Sequence, residues 1–261
     1  MQRLAIFLLF SLTLSADAQQ KIVWPEGKKA AIVLTYDDAL LSQLNIAIPQ
    51  LDSFKFKGTF FLDARMSETE MLRWRNVSRH NHELANHTLY HPCSSKSFPA
   101  RDRYTSETYD AHAIIREIAV MNKLLFGIDG KAERTYAYPC AQTYVEGKDY
   151  VDTLRSTGLI KYARVGGGKN SIITDFQFLD PLKVPCWGVP DQPNKNELID
   201  FAQATLERGG LGIYMFHGIG GDYIQVSADA HQTLVQFLAA HQHEIWVTTF
   251  MEMMDYVQKQ K

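Results

Sequence analysis

The stretch AAIVLTYDD, residues 30–38, runs an apolar segment straight into two adjacent carboxylates. A compact apolar run of this length suits a strand buried on both faces, the kind found in parallel sheets. Comparable runs recur as GTFFLD (58–63), ELANHT (83–88), RTYAYP (134–139), KYARVGG (161–167), KVPCWGV (183–189), LGIYMFHG (211–218) and EIWVTTF (244–250). Helical spacing fills the intervals. It covers 40–54, interrupted by Pro49, then 66–80 with Ser67 or Thr69 as cap, and 105–126. Further helices are predicted over 148–156, 196–208 and 227–241, with a last helical turn at 251–256. Strand and helix alternate seven or eight times with no linker or repeat between them. That pattern predicts a single α/β domain built as a (β/α)7–8 barrel.

Composition narrows the partners. Of 261 residues, 27 are basic and 29 acidic, for a net charge of −2, so there is no basic footprint for nucleic acid. The first residues, MQRLAIFLLFSLTLSADAQQ, place one arginine before an apolar core and end it at Ala16-Asp17-Ala18. This reads as a signal peptide over 1–18, leaving 19–261 as the exported domain, periplasmic or secreted. The apolar core is shorter than the roughly 20 residues a span requires, so no stable membrane insertion is expected. Cys93, Cys140 and Cys186 are odd in number and lack a CxxC pair. A disulfide framework is therefore not expected, although an oxidising compartment permits one bridge.

In a parallel barrel the chemistry lies where strands end. Those ends carry Asp37 and Asp38, then His87 with His91, then Tyr138, Pro139 and Cys140, and lastly His217. In NHTLYHP, histidines at i and i+4 share one face of a helical turn that Pro92 stops, so both imidazoles can reach one ion. Two histidines and a carboxylate form a set suited to a catalytic divalent metal, zinc foremost. Consecutive strand residues point opposite ways, so the two aspartates can divide the work. One binds the ion, whose charge offsets their repulsion, and the other accepts a proton from water. A carboxylate pair capping the next helix would explain only one of them.

With these residues assembled, the chain resembles the polysaccharide deacetylase family, the NodB-homology carbohydrate esterases, from about residue 30 to 257. TYDD is similar to the family's first motif, which implies Asp37 as catalytic base and Asp38 as metal ligand. HTLYH is similar to the second, implying His87 and His91 as the remaining ligands. MFHGIG is similar to the fifth, implying His217 as general acid and placing Met215 against the acetyl methyl. The resemblance implies a distorted barrel, an acetylated polysaccharide or oligosaccharide substrate, and the Cys140 backbone N–H as oxyanion donor. It leaves N- and O-deacetylation both open.

Two departures stand out. The third motif usually carries an arginine that steadies the base, and here Ala137 occupies its place. Arg164, ending KYARV, could project into the same mouth and hold Asp37; otherwise Tyr138 or water would orient it. The fourth motif, usually an Asp followed by Asp-Trp, has no clear counterpart. Cys140 reads as a small buried residue rather than a thiol nucleophile, and Asn81 as a left-handed position ahead of the third strand. Two other functions fit parts of the pattern: a carbohydrate-binding pseudoenzyme, given the absent arginine, and a non-haem metal oxygenase using the same three ligands.

Overall fold

In the computed structural model, which describes residues 21–97 and 104–261, the opening stretch forms strand β1, Ala30–Asp37, with every residue buried. The leader read over 1–18 lies outside the described residues. The strands that follow are β2 (Thr59–Leu62), β3 (Glu83–Asn86), β4 (Thr135–Ala137), a hairpin of β5 (Tyr144–Val145) and β6 (Lys148–Asp149), β7 (Tyr162–Arg164), β8 (Trp187–Gly188), β9 (Leu211–Phe216) and β10 (Ile245–Thr248). All but the hairpin join one parallel sheet in the order β7-β4-β3-β2-β1-β9-β8. On one side β1 pairs with β9. On the other it is shared, with Ala30–Val33 registering on β10 and Thr35–Asp37 on β2. The 184–188 segment bridges the ends of the curl: Val184 pairs with Arg164 of β7, and Trp187 with Tyr214 of β9. The sheet is a half-barrel closed by short pairings, as the distorted (β/α)7–8 reading expects.

Strand alternation splits the core into two layers. Ala31, Val33, Phe61, Ala85, Ala137 and Ile213 pack inside the curl. Ile32, Leu34, Tyr36, Phe60, Leu62, Tyr214 and Phe216 face outward, under the helices. The helices are α1 (Ile48–Ser53), α2 (Glu68–Arg79), α3 (Ala111–Asp129), α4 (Val151–Thr157), α5 (Lys195–Arg208), α6 (Ala228–Ala240) and α7 (Phe250–Lys259). Ser67 caps α2 in a reciprocal box with Glu70. Pro49 falls in the first turn of α1, directly after one π-helical turn over Gln43–Ala47, so the regular α-helical pattern breaks just ahead of the residue that has no N–H to give. Asn81 has the left-handed backbone expected of it, with φ 66°.

Three helix expectations shift. The helix predicted from 105 begins only at Ala111, because Asp110 accepts the Ala113 N–H at 2.7 Å and sets the first turn there. The helix predicted from 148 begins at Val151, since Lys148 and Asp149 belong to the hairpin. The last turn extends to Lys259: Thr249 caps it, and Phe250, Met253, Met254 and Val257 bury one face.

A buried network under α6 yields a first expected outcome. Gln50 Oε1 can only accept, so the His231 Nδ1–H donates to it at 2.5 Å, and His231 Nε2 accepts from the Tyr36 hydroxyl at 2.7 Å. Burial pushes this imidazole from its ordinary 6.5 down to about 3. The unfolded chain therefore takes up a proton below about pH 6.5 that the folded chain refuses. Stability is complete above that pH and falls as pH drops toward 3, by up to about 1.4 kcal/mol per pH unit from this group. Denaturant midpoints between pH 7 and 4 should show the loss, and His231→Gln should flatten the slope. An unchanged slope in that variant would reject the assignment.

Candidate metal centre and active site

Asp37 lies on the inner face of β1 because it continues the alternation of Ala31 and Val33. Strict alternation would send Asp38 outward. Instead the chain turns left-handed at Asp38 (φ 78°) and Ala39 (φ 54°), a conformation aspartate tolerates better than most residues. Asp38 is 6% exposed and enters the barrel mouth. Gln43 Nε2 donates to both the Asp37 carbonyl (2.6 Å) and the His217 carbonyl (3.1 Å), tying the ends of β1 and β9 together.

The two histidines arrive by a different route from the helical turn expected of HTLYH. Residues 87–91 form an irregular loop in which Thr88 (φ 68°) and His91 (φ 51°) are both left-handed. Side chains, not helical bonds, take up the N–H groups of residues 88–91. Asn86 Oδ1 accepts from Thr88, Thr88 Oγ1 accepts from His91, and the Glu117 carboxylate of α3 accepts from Leu89 and Tyr90. His87 Nε2 stands 3.5 Å and His91 Nε2 3.4 Å from Asp38 Oδ1.

These separations exceed a hydrogen bond, yet the ligand atoms of all three residues lie within 4.8 Å of one another. Metal–ligand bonds of about 2.0–2.2 Å place neighbouring ligand atoms roughly 3–3.5 Å apart. The ring orientations suit the same purpose. His87 Nδ1 is bound to the Ala137 carbonyl at 2.8 Å, and His91 Nδ1 lies 3.4 Å from Cys93 Sγ. Both Nε2 atoms are thereby turned to the mouth. Burial, with repulsion from His87, pushes His91 down to about 3, so its lone pair is available at neutral pH. Burial alone would raise the Asp38 carboxyl, but His91, His87, His217 and Arg65 outweigh it and hold it well below the usual range. Two imidazoles and one ionised carboxylate fit a divalent cation.

Around this set sits an acid–base arrangement. Arg164, 2% exposed, pairs through Nη2 with Asp37 Oδ1. Its Nη1 donates to Cys186 Sγ at 3.3 Å, and its guanidinium lies 4.8 Å from the Phe61 ring centre. Asp37 Oδ2 remains turned toward His87 Nε2 at 3.8 Å. His217 Nε2 lies 3.9 Å from Asp38 Oδ2 across the mouth. Its Nδ1 is buried with no hydrogen-bond partner among the described residues. Met215 packs against the inner cluster, and its Cε occupies space that a Cβ at Gly188 would need.

Two expectations are corrected here. Tyr138 is no contact in the mouth: as the alternate of Ala137 it faces outward, packs with Tyr136 and Tyr150, and donates its hydroxyl to the Leu182 carbonyl at 3.0 Å. Tyr138→Phe should cost about 1 kcal/mol of stability and leave KM for an acetylated sugar unaltered; a raised KM would return Tyr138 to the site. Cys140, read as a small buried residue, is only partly buried and forms with Cys93 the one bridge that an oxidising compartment permits, while Cys186 is the free, buried thiol. Its partner is 47 residues away, beyond the reach of local pattern.

Three neighbours escaped sequence reading. Tyr223 donates to Asp38 Oδ2 at 2.7 Å, and Arg65 Nη2 to Asp38 Oδ1 at 3.2 Å. Buried Asp63 holds Arg65 in place, accepting its Nε at 2.7 Å and its backbone N–H at 2.9 Å. Asp63 directly follows β2, so the rule that strand ends carry the chemistry could have flagged it. Tyr223 lies in a loop with no such signal.

The polysaccharide deacetylase family profile matches residues 25–159, a span that includes Asp37, Asp38, His87, His91 and Cys140 but neither Arg164 nor His217. This chain belongs to the polysaccharide deacetylase family. Among solved structures, a Mycobacterium smegmatis protein assigned to the polysaccharide deacetylases superposes with a TM-score of 0.66 at 14% identity, over 93% of this chain and 96% of that one. Peptidoglycan deacetylase PdaC from Bacillus subtilis gives 0.56 at 18% identity, over 88% and 92%. BA3943 from Bacillus anthracis, a CE4 family pseudoenzyme, gives 0.57 at 17%, over 88% and 66%. At such identities the likeness is one of fold. No curated protein matches the chain.

Proposed function

We propose that this chain is an exported, metal-dependent hydrolase that removes acetyl groups from a polysaccharide. The observation that carries the reading is the convergence in one mouth of Asp38, His87 and His91 as a ligand set, beside an Asp37 clamped by Arg164. A divalent ion held by that set, zinc foremost, would polarise the acetyl carbonyl and acidify the attacking water. Asp37 takes the proton from that water, using the oxygen that Arg164 leaves free. Arg164 orients the base through a charge-assisted hydrogen bond. His217, on the opposite wall, protonates the leaving amine or alkoxide through Nε2. The Cys140 backbone N–H donates to the oxyanion, and Met215 receives the acetyl methyl.

Export rests on the leader over residues 1–18 and fits a disulfide, which persists in oxidising compartments. No helix among the described residues is long and apolar enough to cross a membrane. The test is acetate release from acetyl-xylan and from N-acetylglucosamine oligomers, with and without zinc, which also separates O- from N-deacetylation. Zinc-loaded protein that releases no acetate from either, yet binds the glycans, would favour the pseudoenzyme reading. The orphaned His217 Nδ1 gives that second reading its motive.

A further inference from the structure

Two loops meet at the mouth: 87–93 after β3, and 138–141 after β4. Each carries a pair of non-glycine residues in the left-handed region, Thr88 and His91 (φ 68° and 51°) in one, Cys140 and Ala141 (φ 50° and 59°) in the other. Such conformations persist only where the surroundings enforce them. The Cys93–Cys140 disulfide, with Cα atoms 5.7 Å apart, ties the loops directly. Ser94 N–H adds a second tie, donating to Gln142 Oε1 at 3.0 Å.

The disulfide also touches a metal-ligand candidate. Cys93 Sγ lies 3.4 Å from His91 Nδ1, on the opposite side of the ring from the Nε2 that faces Asp38 at 3.4 Å. A disulfide sulfur bears no hydrogen, so it can only accept. A hydrogen bond across this contact therefore needs the proton on Nδ1, which leaves the Nε2 lone pair pointing into the mouth. For His87 the Ala137 carbonyl performs the same task. A carbonyl is an acceptor under all conditions; Cys93 sulfur is a pure acceptor only while the bond is closed.

Resting on the reading that Asp38, His87 and His91 hold a divalent ion, we infer that the Cys93–Cys140 disulfide is a positioning element of that centre. Metal affinity then depends on the redox state of the bond. A dithiol reductant opens it by supplying two electrons and two protons: the S–S bond breaks, each cysteine gains an S–H, and the reductant becomes its own disulfide. The Cys93 thiol can then donate to His91 Nδ1, which moves the ring proton to Nε2 and removes the ligand lone pair. The loop that presents His91 is released from the Cys140 turn in the same step.

The test is cobalt affinity of the mature protein in three forms: disulfide closed, disulfide reduced, and the Cys93→Ala/Cys140→Ala double variant. Opening the bond should weaken cobalt binding by about 10–100-fold, the usual effect of losing an outer partner of a ligand, with circular dichroism unchanged. In the metal-free protein, ¹⁵N imidazole shifts should report Nδ1–H for His91 when closed and a mixture of tautomers when reduced. Equal cobalt affinity in all three forms, or an unchanged tautomer, overturns the inference. If opening the bond unfolds the chain, the disulfide is a general staple and the assignment also fails. A closed protein that binds no cobalt would instead remove the metal reading beneath it, while the tautomer measurement still judges the disulfide.

Discussion

His87→Ala should leave a folded protein that neither retains zinc nor releases acetate. His87 is 1% exposed at the end of β3, and its ring is fixed between the Ala137 carbonyl and the Asp38 carboxylate. With only His91 and Asp38 left, the site loses one of three donors. The fall in affinity should exceed the 10–100-fold typical of a lost outer partner. The effect reaches beyond binding: Asp37 and Asp38 are neighbours in sequence, and His87 is the group that faces both. Metal content after gel filtration and acetate release should fall together. Zinc retained at wild-type stoichiometry, or activity that survives without it, would remove His87 from the ligand set.

Asp37→Asn should separate binding from chemistry. The amide keeps the volume of the carboxylate and can still meet Arg164, but it cannot take a proton from water. Turnover should drop by about 10²–10⁴-fold, with zinc affinity close to wild type. Arg164→Ala should slow the enzyme for a different reason, because it strands Asp37 as a buried charge. Breaking a buried pair from one side typically costs about 3–5 kcal/mol, so the melting temperature should fall along with the rate. Arg164→Lys restores charge without the planar fork and should recover stability better than turnover. Since both residues serve one proton transfer, the double variant should be scarcely slower than Asp37→Asn alone. Multiplicative losses would mean that Arg164 acts elsewhere, and a normal rate in Asp37→Asn would mean that another group is the base.

Much of the frame was legible because it depends on residues close in sequence. Apolar runs marked the inner strands, and Ser67, one of two caps the sequence offered, marked the start of α2. Helix starts near 110 and 150 were misplaced where a side chain a few residues away, Asp110 or Asp149, redirected the backbone. The HxxxH spacing foretold the meeting of His87 and His91 but not its form. A helical turn and an irregular loop held by Asn86, Thr88 and Glu117 can both bring two imidazoles together. The outward turn of Tyr138 follows from its alternation with Ala137, which packs on the inner face.

By itself, the sequence determined the parallel α/β alternation, the strand ends that carry Asp37, Asp38, His87 and His217, and the helix faces. These follow from periodicity and capping, interactions that reach only a few residues along the chain. Tertiary structure decided which groups meet across the mouth, including the pairing of Arg164 with Asp37 that the sequence left open. Arg164 finds Asp37 across 127 positions, Tyr223 finds Asp38 across 185, and Cys93 finds Cys140 across 47. No local preference encodes such pairs, because each depends on curling of the sheet to bring the ends of separate strands within bonding distance. The left-handed turn at Asp38 belongs with them: a strand's own alternation would face that carboxylate outward, and only the closed mouth supplies the histidines and donors that hold it in.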